Sequence, residues 1–588
     1  MAVQQSAGKF KIEVEGVEVP KDIDNLLSSA VIDSNLHQPD LFILSFRDPH
    51  RAVFTKTGAK IGSKIKVTAF SKAAPAGDIL LTGEVTALEV EHDGSGTFTV
   101  LRGYDQSHLL FRGRYTETYQ NMTSADIAQK VAERANLQVG QIDPTSPVFP
   151  YVSQNNSNDW LFLKKLAADV GYEVLVDDGK LYFRQPASSS AGPAGGSLTN
   201  TDDPLALTMG AHILRLRSVI TSADQVGQVE VRGWDPLQKI TVIGTAPAGT
   251  TSAMVGTDPA TLASTFGSAT LYGVGVPYAN QTEVDTAAKA LADHISSSFA
   301  ELEGVARGNS KLKAGVAVSL SLIGDPFDGK YSLTSVRHRY EPSDGYTTAF
   351  TVSGRNQRSI LGLASAGSPG GGPGASAPPI AGVVPALVTD VNDPNNLGRI
   401  KVSFPWLSDT YASDWARMVQ VGAGDNRGAS FLPEVNDEVL VAFEQGDWRR
   451  PYVIGSLHNG VDTPMLGTGL IDGTSGAVKR RGLISKNGHA LLFFDDSSAD
   501  GTALMTGDHN LRISLNAGTT TIKVTSSGKI TIEGSDDINI TSTGGGITLD
   551  AQDALTLSGQ SVSISAQSSV SISANADVTV AGQPIKLN

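Results

Sequence analysis

The chain has 588 residues, and at roughly 150 residues per domain that length holds about four domains. Charged residues make up 18% and apolar residues 40%, too little charge for a disordered chain and too little hydrophobicity for a membrane protein. Lys plus Arg is 46 against 60 for Asp plus Glu, a net charge of −14, and no dense basic tract is present to neutralise phosphates or anionic lipid, which sets nucleic acid aside as a partner.

Cysteine is absent, which removes disulfides, thiol nucleophiles and every metal site that needs thiolate. The N-terminal stretch MAVQQSAGKFKIEVEG has no apolar core of the kind a signal peptide needs, and no run of about 18 apolar residues occurs anywhere. The expectation is synthesis in the cytoplasm without a signal peptide, with any membrane crossing left to a machine.

In chain order, FKIEVEGVEV, KIKVTAF and GTFTVLRGY alternate as half-buried strands and predict a barrel-like hub domain over 1–115. An α/β insert follows over 116–204. Its first helix is predicted over Ser124–Val139, with Ile127, Val131 and Ala132 on one face and Ser124 or Asp126 near the cap. A second helix over Asn158–Val170 leads into YEVLVDDGKLYFR, where Asp177-Asp178-Gly179 between two apolar runs predicts a hairpin. Over 205–363, strands such as ILRLRSVIT and QVEVRGW, a helix at about Glu283–Glu303 and the pair YSLTSVRHRY and YTTAFTVSG predict a second barrel-like domain. Within it His338, between Arg337 and Arg339, reads as a strand-surface residue.

Residues 364–379, ASAGSPGGGPGASAPP, have no side chain able to form a core and predict a linker. Over 380–460, the runs ALVTDV, GRIKVSFPW, WARMVQV, DEVLVAFE and YVIGSL predict a five-stranded barrel of the OB type. Its acidic residues, among them Asp390, Asp393, Asp437 and Asp447, argue against the nucleic-acid binding that many such barrels perform. A connector of about 50 residues, 461–510, comes next.

After Phe494 there is no Phe, Tyr or Trp, and the one proline is Pro584. What recurs instead is a pair of apolar residues separated by one residue: Ile522/Val524, Ile530/Ile532, Ile538/Ile540, Ile547/Leu549, Leu555/Leu557, Val562/Ile564, Val570/Ile572 and Val578/Val580. First members are spaced 8, 8, 9, 8, 7, 8 and 8 residues, with Ser, Thr, Gly, Asn and Asp between them. Alternation within each pair is a strand with one buried face, and a period near eight marks a β-solenoid with short faces over 511–580, ahead of a tip segment 581–588. One chain wound alone around a three-sided prism makes a stub about 13 Å tall at about 4.8 Å per layer. Three intertwined chains make a column of about 38 Å with a continuous apolar interior, so a homotrimer is expected, with the pairs from Ile522 to Ile572 as its core.

The fold class expected is therefore mainly β and multi-domain: a hub of two barrel-like β domains with an α/β insert, an OB-fold barrel, and a C-terminal intertwined trimeric β-helix forming a triangular prism. No catalytic, cofactor or metal site is assigned, and the chain is expected not to be an enzyme. Asp495/Asp496 and Asp536/Asp537 are adjacent carboxylates, which point to opposite faces of a strand rather than across a cleft. Asp425-Asn426-Arg427 reads as a polar loop. His489 and His509 stand singly in the connector, and no histidine follows His509, so the point of the prism cannot be closed by imidazole-bound metal.

Four segments carry a family resemblance: NDPNNLGRIKVSFPW (Asn392–Trp406) and SFLPEVNDEVLVAFEQGDWRRPYVIGSLHN (Ser430–Asn459) in the barrel, and Tyr104–Ala132 and Ser157–Val174 in the hub. In these the chain resembles the VgrG-type spike of contractile injection systems. The resemblance implies a trimeric needle tip at the end of a hexameric inner tube, with the two barrels of each hub making a pseudo-sixfold adaptor. It further implies baseplate and tube proteins as partners, effector cargo, transient contact with a target membrane, and location in a phage-tail-like particle, extracellular after release. A PAAR-type cap is implied on the blunt end, where Val578, Val580, Pro584, Ile585 and Leu587 are the expected contact residues. A type VI secretion spike, a trimeric adhesin or tail fibre, and a spike-fused cell-wall hydrolase stay open as alternatives.

Overall fold

The structure is a computed structural model that describes residues 8–586 apart from 72–73, 147, 199–201, 236–237, 239, 275, 356–381, 406, 409, 465–469 and 497–498. The predicted linker 364–379, Trp406 and Leu587 lie outside the described residues. Two compact units are present, Met1–Thr463 and Pro464–Asn588.

The first unit is organised by one eleven-stranded sheet. Its hydrogen-bonded order is Ile213–Ile220, Ala300–Arg307, Gly345–Val352, Ser335–Glu341, Leu27–Asn35, Leu41–Arg47, Gly96–Asp105, Ala74–Asp93, Lys64–Ser71, Lys9–Val14 and Val17–Glu18. The two halves of the hub thus share a sheet. They meet where Ser335–Glu341 pairs antiparallel with Leu27–Asn35, and Arg337 Nε donates to Asp33 Oδ2 at 3.0 Å across that seam. Alternation gives each half its own core: Phe10, Ile12, Phe42, Leu44 and Phe46 fill one, and Phe299, Leu302, Tyr331, Val336 and Phe350 fill the other. The sheet curls round, since Phe10 near its far edge packs against Tyr346 of the second half's strand Gly345–Val352 with ring centroids 5.0 Å apart.

His338 corrects the sequence reading. It is buried in the seam, not on the surface, because its neighbours Arg337 and Arg339 take the outward positions of the strand. Its Nε2 lies 3.0 Å from the Leu312 carbonyl oxygen and must donate there, so Nδ1 accepts from the Tyr346 hydroxyl at 2.8 Å.

The insert packs helices Ser124–Arg134 and Asp159–Val170 on a ribbon, Tyr115–Thr123 with Val148–Ser157, and a small sheet. Thr123 caps the first helix in a reciprocal capping box with Asp126, one residue before the expected position. That helix stops at Arg134 rather than Val139, because Asn136 takes φ of 55° and Gln138–Ile142 leaves as a strand beside Lys180–Arg184. Asn158 caps the second helix, and the hairpin turns through Asp178 (φ 48°) and Gly179 (φ 74°). In the second half the helix is Gln281–Ser296, not 283–303. The Ser297 and Ser298 hydroxyls donate back to the carbonyls of His294 and Ile295, and Ala300–Arg307 alternates as a central strand. This helix covers a three-stranded sheet (Ile240–Pro247, Gln228–Asp235, Thr270–Gly273), a separate α/β layer inside the region read as a plain barrel.

Five strands of the spike barrel follow in the order Lys401–Ser403, Val383–Asp390, Glu438–Phe443, Pro451–Ser456, Arg417–Met418. Ile400 and Ala416 exchange backbone hydrogen bonds of 3.0 and 2.7 Å, which closes the ring around Val388, Val402, Phe404, Val439 and Val441.

The second unit begins as an antiparallel meander of Arg480–Ile484, Ala490–Phe494, Gly501–Met505, Leu511–Asn516 and Thr521–Ser526. The meander runs through the expected boundary at 510/511, so the first repeat pair belongs to it. Beyond Ser526 no strand is paired among the described residues. The chain there bends at Ser527, Ser535, Thr543, Gln552, Gly559, Gln567, Asn575 and Gln583, again about eight residues apart.

Candidate functional site

Two regions carry the function-bearing features: the joint between hub and spike barrel inside the first unit, and the repeat of the second.

At the joint the hub ribbon presents Tyr151, whose ring enters the barrel's core beside Tyr411 and whose hydroxyl donates to the Ala412 carbonyl at 2.8 Å. Next to it lies a buried charge cluster. Arg449 of the barrel donates to both oxygens of Asp447, with Nη2 to Oδ2 at 2.7 Å, and its Nη1 stands 3.9 Å from Asp169 on helix Asp159–Val170. Arg450 donates to the Pro277 carbonyl at 3.2 Å and stands 3.9 Å from Glu283 at the start of helix Gln281–Ser296. Burial opposes ionisation of Asp447, yet the charge and hydrogen bonds of Arg449 outweigh it and hold that carboxyl below the usual carboxylate range. Asp169 is left on the other side of the balance: burial raises it despite Arg449 and Lys165, and its Oδ1 has no partner in the structure. The barrel is thus seated on helices Asp159–Val170 and Gln281–Ser296 through one arginine pair, Arg449-Arg450, which stands in the motif QGDWRRPY and was assigned no role from the sequence.

Asp393 in the motif NDPNNLGR fixes the first barrel loop. It accepts from the backbone of Leu397 at 2.9 Å and from Arg399 Nη2 at 2.7 Å, and these bonds, above all Arg399, hold it well below the usual carboxylate range.

In the repeat, the residues expected as the core of a homotrimer are exposed in the single chain. Ile522 and Val524, at the end of the meander, are 74% and 54% exposed. The first members that follow, Ile530, Ile538, Ile547, Leu555, Val562 and Val570, are 52–58% exposed. Their second members are more open still: Ile532 at 72%, Ile540 at 69%, Leu549 at 63%, Leu557 at 60%, Ile564 at 67% and Ile572 at 72%. One chain alone therefore makes no core from these pairs. The physical reason is that, among the described residues, the octads beyond Ser526 have no strand of the chain paired with them to shield their apolar residues. Among the described residues no backbone–backbone hydrogen bond is formed beyond that from Ser527 to the Asn510 carbonyl. The near-constant exposure within each set means that successive octads repeat one local conformation. The expected tip contacts Val578, Val580 and Ile585 are exposed as well.

The residues weighed and set aside as chemistry sit as follows. Asp495 pairs with Arg481, and Asp496 lies 3.6 Å from Lys479. Asp425-Asn426-Arg427 forms a loop tip with Asn426 at φ 52°. His489 Nδ1 accepts from the Gly507 amide at 3.2 Å. Among the described residues no group of three or more His, Asp or Glu is placed to hold a metal ion.

The barrel decides the relationship. Residues 384–458 match the family of type VI secretion system/phage-baseplate injector OB domains. A segment of 115 residues is 31% identical to type VI secretion system spike protein VgrG3 of Vibrio cholerae, and one of 70 residues is 39% identical to spike protein VgrG1a of Pseudomonas aeruginosa. In these segments the chain is similar to VgrG-type spike proteins. These matches cover 19% and 11% of this chain and 11% of each relative's own length. A second family model, for the Alg8 N-terminal domain, matches residues 59–341. Among solved structures, the E. coli c3393 protein, described as a type VI secretion component similar to the T4 bacteriophage tail proteins gp27 and gp5, aligns at 17% identity. That alignment covers 76% of this chain and all of that one, with a TM-score of 0.47.

Proposed function

We propose that three copies of the chain form the central spike and baseplate hub of a contractile injection system, joining an inner tube to a needle that punctures the target envelope. The observation that carries this reading is the repeat: beyond Ser526, seven apolar pairs recur between regular corners, exposed and on unpaired backbone. Unpaired backbone groups and a long apolar stripe are unfavourable alone, and three chains wound together supply both the ladders and the dry core. The hub supports an adaptor role, since each chain brings two barrel-like halves in one sheet and three chains bring six.

The blunt end of the prism takes a small PAAR-type cap on Val578, Val580, Pro584 and Ile585, with Leu587 beside them, and cargo rides on or behind it. The setting is a phage-tail-like particle assembled in the cytoplasm and extracellular after release. A type VI secretion apparatus is the second reading, favoured by the names of the curated relatives. Cryo-electron microscopy of the particle from which the chain is purified tests both: density for three chains at the tube tip is the expected result, the surrounding sheath and anchoring separate the two systems, and a position elsewhere overturns the proposal.

A further inference from the structure

We propose that Asp40 and Asp105 share one proton and form a latch, which holds the insert hairpin, and through it the seat of the spike barrel, on the first half of the hub. The latch lies within one chain and goes beyond the function above, since it needs no second copy.

The register places the two carboxyls. Leu41 pairs with Tyr104 where Leu41–Arg47 runs antiparallel to Gly96–Asp105, so Asp40 and Asp105 are the next pair out, and the Asp105 amide donates to the Asp40 carbonyl at 2.9 Å. Directly opposed residues lie on one side of a sheet with Cβ atoms about 4.5–5.5 Å apart. Here that is the core side, which also carries Phe42 and Leu101. Asp105 is 4% exposed; its Oδ1 accepts from the Ser107 hydroxyl, while its Oδ2 is buried and has no partner among the described residues. Asp40 Oδ1 accepts from the Asn35 amide at 2.8 Å. Two carboxylates this close and this far from water do not both keep their charge.

The neighbouring elements do not supply a cation. Ser34 and Ser107 face the pair as neutral hydroxyls, and Gly83, opposite Asp105 on Ala74–Asp93, has no side chain. The hairpin of Glu173–Asp177 and Lys180–Arg184 brings a third carboxylate, Asp177, whose charge bears on both. The nearby cations are engaged elsewhere. Lys313 Nζ lies 3.4 Å from Asp177, Lys180 stands opposite Asp177 in the hairpin, His108 Nε2 is 3.2 Å from Glu84, and Lys164 Nζ donates to the Leu36 carbonyl at 3.2 Å. A proton is the smallest cation that removes the repulsion, and it turns Asp105 Oδ2 from an acceptor without a donor into a donor. Burial pushes Asp105 up to about 7, and burial with the charge of Asp105 holds Asp40 well above the usual carboxylate range.

The hairpin closes over this spot, since a Cβ on Gly179 would lie 2.5 Å from Gln106 Oε1, next to Ser107. It follows directly on helix Asp159–Val170, whose Asp169 faces Arg449 of the barrel, so loosening the hairpin loosens the barrel's seat. In the opened joint the carboxyl returns to its ordinary 3.8, whereas the closed joint keeps the proton to about pH 7. The joint is therefore firmest below pH 3.8 and weakens as pH rises through 7, beyond which both forms have lost the proton.

Amide hydrogen exchange of the intact chain, corrected for the intrinsic rate at each pH, reads the latch in peptides covering 173–184. Protection there is expected to fall by at least about tenfold between about pH 5 and about pH 8 in the parent, and to change by less than about twofold in Asp105→Asn and in Asp40→Asn, which keep the shape and remove one charge. Asp178→Asn, at the exposed turn where φ is 48°, is expected to keep the parent's dependence. Parent protection that does not change with pH overturns the latch, as does a fall that persists in the Asp105→Asn and Asp40→Asn chains or one that Asp178→Asn abolishes. Full protection restored at pH 8 by millimolar calcium also overturns it, because a metal ion rather than a proton then holds the pair.

Discussion

Arg449 holds two carboxylates that have left water, Asp447 on its own barrel and Asp169 on a hub helix. Removing one partner of a buried charge pair leaves the other uncompensated, and such losses are typically about 3–5 kcal/mol. Arg449→Leu is therefore expected to destabilise the transition that includes the barrel by about that amount in urea unfolding followed by tryptophan fluorescence. Asp169→Asn is expected to lose far less, because Asp169 already has an oxygen without a partner and a raised pKa. Equal losses from the two substitutions would show that Arg449 is not the centre of the joint. His338 gives a prediction in pH. Burial, with Lys313 nearby, pushes its pKa down to about 4, against 6.5 for the free side chain. The unfolded chain takes up the proton first, so this contribution to stability is complete above pH 6.5 and is lost as pH falls from 6.5 to 4, by about 3 kcal/mol at the end of that window. The difference in unfolding free energy between the parent and His338→Gln should shrink over that window; a difference that stays constant with pH contradicts the buried neutral imidazole. Neither role was visible in the sequence. Arg337-His338-Arg339 looks like a solvated strand until pairing fixes which side of the sheet the middle residue faces, and Arg449 meets Asp169 across about 280 residues of chain.

At the scale of elements, local rules held where the signal was local. The helix starting near Asn158, the Asp178-Gly179 turn and the five barrel strands are all written in short stretches, and each appears at its expected place. Helix ends were less legible, because the spacing of Ile127, Val131 and Ala132 continues past Arg134 as composition while Asn136 turns the backbone out of the helix. The meander was missed for a different reason: its strands lie in a connector whose alternation, LLFF above all, is masked by apolar residues on both faces of the early strands. The period of the repeat was fully legible, since eight octads give eight corners. What covers its apolar pairs was not, because Ile532, Ile540, Leu549 and Leu557 stand open in the single chain. Ile564→Asp places three carboxylates in one dry column, and assembly of the chain into trimers is expected to fail in light scattering. Ser563→Asp, whose side chain points to the other face, is expected to assemble as the parent does. Normal assembly of Ile564→Asp would mean the pairs face water.

For the molecule as a whole, seat and needle are built by opposite means. The barrel is fastened to the hub by contacts within one chain, whereas the repeat carries an apolar stripe that stands exposed among the described residues. Under the proposed function a cap sits at the end of that stripe. Deleting Gly582–Asn588 is expected to leave the trimer folded while abolishing co-purification of a PAAR-type tip protein; retention of the cap would place its site elsewhere. The most direct measurement is the native mass of the intact chain. One species at three times the 61.4 kDa chain mass, losing its trimeric state and the fold of the repeat in a single transition, is the predicted result, and a folded repeat in a species of 61.4 kDa contradicts the shared prism.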